Sequence, residues 1–231
     1  MLTMPFSKRQ ANMVLAFLLC NWLLLVAATV GQAAAASQPL RIVVFGDSLV
    51  AGFQLKASDA FPAQLERALK ARGHAVEVIN AGVSGDTTAA GLERLRWSIP
   101  EKVDAVILEL GANDALRGLD PNRAKSNLDK MIATIKGTGA EVLLAGMLAP
   151  PNMGPAYAQS FNAIYQDLAA KHGLILYPFF LQGIALDQRF NLGDGLHPNS
   201  KGVAEITRKI LPTVEQLIER VRTRQAAATK G

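Results

Sequence analysis

Cysteine is all but missing from this chain: of 231 residues, only Cys20 carries a thiol. It follows two leucines inside an apolar run from Met13 to Val30, without the small neighbours of a lipidation site. Removal of that run on export leaves no cysteine, which excludes disulfides and thiol nucleophiles from the mature protein. Histidine is scarce as well, with three residues and no Cys/His cluster that would hold zinc. No metal and no organic cofactor are expected. Aromatic residues make up only 6% of the chain, and no basic stripe with interleaved aromatics is present. Nucleic acid is therefore excluded as a partner. Charge of either sign is modest too. Of 24 Lys and Arg residues, Lys8 and Arg9 fall in the leader, so the remainder stands at +3 against 19 acidic residues. Part of that excess sits in the tail Arg220-Val-Arg-Thr-Arg, read as a fraying helix end.

The amino terminus has the three parts of a secretory signal. Lys8 and Arg9 precede the apolar run, and Ala33 to Ala36 follow it as a small-residue cleavage site. Residues 1–36 are accordingly assigned to a signal peptide and 37–231 to one folded domain. An uncleaved inner-membrane anchor is the alternative, because the run is long for a cleaved signal and short for a membrane span. The mature protein is expected in the periplasm or outside the cell.

Beyond Leu40, short apolar runs alternate with longer helical patterns, which points to a mostly parallel sheet covered by helices. The runs are Leu40–Phe45, Ala75–Ile79, Val103–Leu110, Glu141–Met147 and Leu174–Tyr177, rich in Val, Ile and Leu and largely without alternation. Strands buried on both faces read this way. Helices are expected over Phe61–Arg72, Pro121–Lys136, Tyr157–Lys171 and about Asn199–Arg220, the last kinked or interrupted by Pro212. The expected fold is a single-domain, three-layer α/β/α sandwich around five strands. In such sheets the site forms at the carboxyl ends of the strands.

Chemistry-bearing residues do fall just after these runs. Gly46-Asp47-Ser48-Leu49 follows the first, with Gly46 relieving the turn. Ser48 there can present its hydroxyl at the rim and its own N–H to an oxyanion. Taken alone, Gly-Asp-Ser reads better as a helix N-cap. Among the histidines, His74 and His172 suit capping or surface roles, whereas His197 lies in a glycine-rich loop from Asn191 to Asn199. Asp194 precedes it by three residues, a spacing that lets the carboxylate reach Nδ1 and leaves Nε2 for the serine. Pro198 is read as stiffening this loop and starting the last helix. A loop turn with a capping aspartate has the same pattern. After the third run comes Glu109-Leu-Gly-Ala-Asn113-Asp114, whose Asn113 amide is a candidate oxyanion donor or an Asx-turn. After the second comes Asn80-Ala-Gly82-Val-Ser-Gly85-Asp-Thr-Thr88. Gly85 is a second candidate donor, Gly82 serves a turn, and Asp-Thr-Thr caps a helix toward Trp97.

Together these four blocks resemble the SGNH (GDSL) hydrolase superfamily, over Leu40 to about Leu217. Ser-Gly-Asp-Thr-Thr, Glu-Leu-Gly-Ala-Asn-Asp-Ala-Leu-Arg-Gly and Pro-Phe-Phe are most similar to its bacterial thioesterase/lysophospholipase/arylesterase branch. The resemblance implies Ser48 as nucleophile, Asp194 and His197 as the rest of the triad, and Ser48, Gly85 and Asn113 as the oxyanion hole. It implies a small-molecule acyl ester or thioester substrate, lipid included. Leu116, Leu119 and Pro150 are candidate acyl contacts by position, and ordinary loop packing explains each equally well. Two other readings compete: an O-acetylesterase of carbohydrate, disfavoured by the few aromatics, and a non-catalytic binding module. Nothing sets the oligomeric state; a monomer is the expectation.

Overall fold

Five parallel strands form the centre of the computed structural model, which describes residues 38–229. They are β1 (Leu40–Gly46), β2 (Val76–Gly82), β3 (Ala105–Glu109), β4 (Glu141–Ala145) and β5 (Ile175–Tyr177), in the order β2-β1-β3-β4-β5. Every residue of β3 is buried, whereas edge strand β2 is half-open. That difference explains why the central strands read as continuous apolar runs. Seven helices surround the sheet: α1 (Ser48–Ala51), α2 (Phe61–Ala71), α3 (Thr88–Ser98), α4 (Ala112–Leu116), α5 (Pro121–Gly137), α6 (Pro155–His172) and α7 (Ser200–Ala228). The expected leader, residues 1–36, lies outside the described residues. From Pro39 onward the chain forms one compact unit.

The chain leaves β1 toward β2 in one direction and from β2 onward returns in the other. Right-handed crossovers then place α2 on one face and α3, α5 and α6 on the opposite face. α7 joins α2 and covers β3, β4 and β5, which completes the three layers. The reversal between β1 and β3 opens a crevice at their carboxyl ends, where open α/β sheets place their sites.

Local chemistry sets the helix starts. Thr87 caps α3 by accepting from the Ala90 N–H, Asp120 caps α5 ahead of Pro121, and Asn199 caps α7 by accepting from Lys201 and Gly202. Pro198 thus precedes the cap and does not start the helix. It pairs instead with Asn191 in an isolated antiparallel bridge.

Two expectations about the last helix are corrected, its interruption at Pro212 and its fraying from Arg220. Pro212 does not interrupt α7, which runs unbroken to Ala228. Pro212 sits on the exposed side, where water can satisfy the carbonyl it leaves free, while Ile210, Leu211, Val214 and Leu217 anchor the other side in the core. Nor does the tail fray at Arg220. Arg220 donates to the Gly173 carbonyl at 2.9 Å, Arg224 reaches Gly139 and Glu141, and Gln225 donates to Asp104 at 2.8 Å.

Gly82 also differs from its reading as a turn residue. It ends β2, and a Cβ there would stand 2.3 Å from the Ala51 nitrogen. Gly46 is likewise small for want of space, not for a turn, because a Cβ would meet Val50 and the Glu109 carbonyl. The two glycines let α1 settle onto the ends of β1 and β2.

Candidate active site

β1 ends beneath the crevice, and the chain turns there into the short helix α1. Asp47 is the cap: its Oδ1 accepts from the Leu49 N–H at 3.0 Å. Ser48 is therefore the first helical residue, and its N–H, like those of any first turn, lies outside the helical ladder. The serine is buried, and its Oγ lies 3.0 Å from His197 Nε2. His197 Nδ1 lies 2.6 Å from Asp194 Oδ2. The other Asp194 oxygen accepts from the Leu196 and His197 N–H groups at 2.9 and 3.0 Å. These bonds, led by that of the His197 N–H, lower the Asp194 carboxyl to about 2. The carboxylate is thus an anion beside the imidazole, as the three-residue spacing predicts.

The loop that carries this pair is cross-tied. Leu192 N–H donates to the His197 carbonyl at 2.7 Å, and buried Asn191 donates to the Ile184 and Asp187 carbonyls. Phe53, just after α1, lies against the other side of the catalytic candidate: its ring centroid is 4.4 Å from that of His197, tilted by 35°. Its backbone N–H donates to the Ser48 carbonyl, so one short segment positions both rings and the serine.

The remaining two blocks close on the same point. Gly85 has φ +87°, a left-handed backbone that favours glycine, and its carbonyl accepts from Arg117 at 3.0 Å. Asn113 lies in α4, and its Nδ2 donates to Asp47 Oδ2 at 3.2 Å and to the Asp86 carbonyl at 3.0 Å. Ser48, His197, Asp194 and Asn113 are thereby brought into one connected constellation, with Gly85 on the loop that also supplies Asp86. Leu116 ends α4 and Leu119 follows it on the loop toward α5, 46% and 40% exposed. Pro150 is half-buried on the loop beyond, which Tyr157 ties to the Leu119 carbonyl at 2.8 Å. None of these three has a direct tie to the triad among the described residues. His74 and His172 lie elsewhere and pair with Glu215 and Asp129.

Several residues that shape the site escape a motif reading. Arg94 of α3 binds Asp86 at 2.5 Å, donates to the Ala81 and Gly46 carbonyls, and lies 4.0 Å over the Phe45 ring. It clamps the ends of β1 and β2 to the glycine loop. Asp114 accepts from both the N–H and the hydroxyl of Thr88, joining the Asn113 block to the start of α3. Glu109, fully buried at the end of β3, sits under Asp47 and accepts from its N–H at 3.4 Å. Burial pushes the Asp47 carboxyl up to about 6 and holds Glu109 well above the carboxylate range, where the Asp47 charge adds to the effect. A carboxyl repeated under the nucleophile, Asp47 and Glu109 both following apolar strands, was the one available signal.

Residues 44–204 match the GDSL-like lipase/acylhydrolase family. The chain is 43% identical to an arylesterase of Vibrio mimicus over 166 residues, 71% of this chain and 83% of that one. It is 37% identical to thioesterase 1/protease 1/lysophospholipase L1 of Escherichia coli (strain K12) over 159 residues, 68% of this chain and 75% of that one. The crystal structure of TesA matches the fold with a TM-score of 0.73 at 38% identity, over 77% of this chain and 99% of that one. The chain is an ester hydrolase and belongs to the GDSL-like lipase/acylhydrolase family.

Proposed function

We propose that this enzyme hydrolyses small or lipid-derived acyl esters and thioesters through an acyl-enzyme on Ser48. The observation that carries the reading is the continuous relay Asp194–His197–Ser48, with separations of 2.6 and 3.0 Å. His197 Nε2 takes the hydroxyl proton as Ser48 Oγ attacks the acyl carbon, and Asp194 stabilises the imidazolium that forms. The carbonyl oxygen becomes an oxyanion, received by the Ser48 and Gly85 N–H groups and the Asn113 amide. The C–O or C–S bond then breaks, and His197 returns its proton to the leaving alcohol or thiol. Water, deprotonated by His197, attacks the acyl-enzyme; collapse of the second tetrahedral intermediate frees the acid, and the proton returns to Ser48 Oγ.

Exposed Leu116, Leu119 and Leu148 on the rim supply apolar surface for an acyl group, with Pro150 beside them. The carbohydrate alternative gains nothing from Trp97: the most exposed large hydrophobic side chain among the described residues, it lies in the last turn of α3, away from the carboxyl ends of the strands. The leader read in residues 1–36 supports export of the mature enzyme to the periplasm or outside the cell, with an inner-membrane anchor as the alternative. No helix among the described residues is long and apolar enough to cross a membrane.

The test is a kinetic panel on the mature protein: p-nitrophenyl esters of increasing chain length, phenyl acetate, palmitoyl-CoA, lysophosphatidylcholine and acetylated xylan. Activity on acyl or aryl substrates, lost by about 10⁶-fold in Ser48→Ala, is the expected result. Activity confined to acetylated xylan replaces the substrate assignment, and an active Ser48→Ala variant overturns the acyl-enzyme.

A further inference from the structure

The Asn113 amide has two N–H groups, and both have partners in the resting enzyme: Asp47 Oδ2 at 3.2 Å and the Asp86 carbonyl at 3.0 Å. An oxyanion can be received only if one of these bonds is given up. The two partners differ. Asp86 offers a neutral peptide oxygen on the loop that also carries Gly85. Asp47 offers a carboxylate that is fully buried, with its other oxygen fixed by the Leu49 N–H and its own N–H on Glu109. A bond to an ionised acceptor is roughly twice as strong as one to a neutral acceptor. The Asp86 bond is therefore the one that yields.

We propose that Asp47 is a positioning residue for acyl transfer: its buried carboxylate holds one N–H of Asn113 so that the other is aimed at the oxyanion. This inference rests on the acyl-enzyme reading above and adds a reason for an aspartate at this position. Capping α1 needs only one acceptor oxygen, and Oδ1 already supplies it.

The surroundings of Asp47 decide its charge. Glu109 faces it from β3, Asp86 from the loop after β2, His197 from the loop after β5, and Tyr165 of α6 lies beyond Glu109 with its hydroxyl on the Leu110 carbonyl. Arg94 of α3 is nearby but engaged with Asp86 and the Gly46 and Ala81 carbonyls. Two buried carboxyls in contact do not both ionise readily. Glu109, fully buried and with its Oε1 unpartnered among the described residues, is the one that keeps its proton. Asp47, lowered by Leu49, Asn113 and His197 against the effect of burial, is the one that ionises, at about 6. Below that pH the hold on Asn113 weakens.

The first experiment leaves Asp47 in place. The ratio of kcat/KM between the native enzyme and Asn113→Ala is measured from about pH 8 to about pH 5, with p-nitrophenyl butyrate read at a pH-independent wavelength. Groups that behave alike in both proteins cancel in the ratio. The expected ratio is roughly 10²–10³ at the upper end, shrinking by about threefold or more as Asp47 gains its proton. A large but pH-independent ratio overturns the role of Asp47 alone. A ratio below about tenfold throughout overturns the oxyanion assignment of Asn113 and this proposal with it. The second experiment is a double-mutant cycle. Asp47→Asn keeps the cap acceptor but turns a donor toward Asn113, so kcat falls by roughly 10²-fold with KM within about threefold. In an Asn113→Ala background the same change costs less than about threefold. Equal losses in both backgrounds overturn the proposal; if Asp47→Asn does not fold, the pH ratio decides on native Asp47.

Discussion

The two ends of the sheet are built from the same strands and use charge in opposite ways. At the carboxyl end, Asp47, Ser48, Asp86, Glu109 and Asp114 are all buried, and nearly every one is held by a specific donor. At the amino end, Arg41 pairs with Glu77 and Arg224 with Glu141 at the surface, with side chains between one-fifth and one-half exposed. The amino end also has a cavity of about 420 Å³, lined by Leu95, Ile99, Val103 and Ile135 among others. No triad or oxyanion donor faces it. Hollow volume therefore does not mark the site in this molecule; buried, partnered polar groups do. Burying them costs free energy unless each finds a hydrogen bond, and the crevice at the switch point is where the topology brings enough partners together.

With the nucleophile left in place, breaking the polar end should have its largest effect at the link between Asp194 and His197. Asp194→Asn leaves a side chain of the same shape on His197 Nδ1 but removes the anion and offers a donor. The imidazole then presents the wrong tautomer to Ser48, and kcat should fall about 10⁴-fold at pH 7 with the fold unchanged by circular dichroism. A loss below tenfold would show that His197 does not depend on this partner. The pH sign follows from the depressed carboxyl. Its contribution to stability is present above the ordinary aspartate value of about 3.9 and is lost as pH falls toward about 2. Acid loss of activity above about pH 4 should therefore not trace to Asp194.

The next effect is on stability. Arg94 and Asp86 have side chains only 14% and 11% exposed, and Arg94 also satisfies two strand-end carbonyls. Arg94→Met should leave Asp86 buried without its partner and cost about 3 kcal/mol, a fall in Tm of about 6–12 °C. Activity should fall alongside, because the Asp86 carbonyl and Gly85 lie on the loop that Arg94 clamps. A melting temperature within about 2 °C of the native protein would make the clamp a surface pair in all but appearance.

Residues at this polar end were legible in the sequence to different degrees. Ser48, Asn113 and the Asp194–His197 pair stand out because each follows a buried strand or opens a helix within a few residues of its motif. The five strands are legible because burial on both faces leaves unbroken apolar runs. Arg94, Phe53 and Glu109 act through partners 48, 144 and 62 positions away in the chain, Gly46, His197 and Asp47. No local pattern encodes such a pairing. The same limit explains the last helix. Pro212 is a strong local stop, but the core contacts that carry α7 past it, and the Gly139 and Gly173 carbonyls that fix its tail, are set by the fold.

That tail provides the smallest and most discriminating change. Arg224→Ala removes the bonds to Glu141 and to the Gly139 carbonyl at the amino end, where water replaces them readily. A half-exposed ion pair of this kind contributes about 0–1 kcal/mol, so urea denaturation should place the variant within about 1 kcal/mol of the native protein. Turnover should not change, since the crevice lies at the far end of every strand that Arg224 approaches. A measurable loss of kcat would mean that α7 transmits strain along its length to Asn199 and the histidine loop it caps. In that case the two ends of the sheet would be coupled, and the division between a structural end and a chemical end would have to be given up.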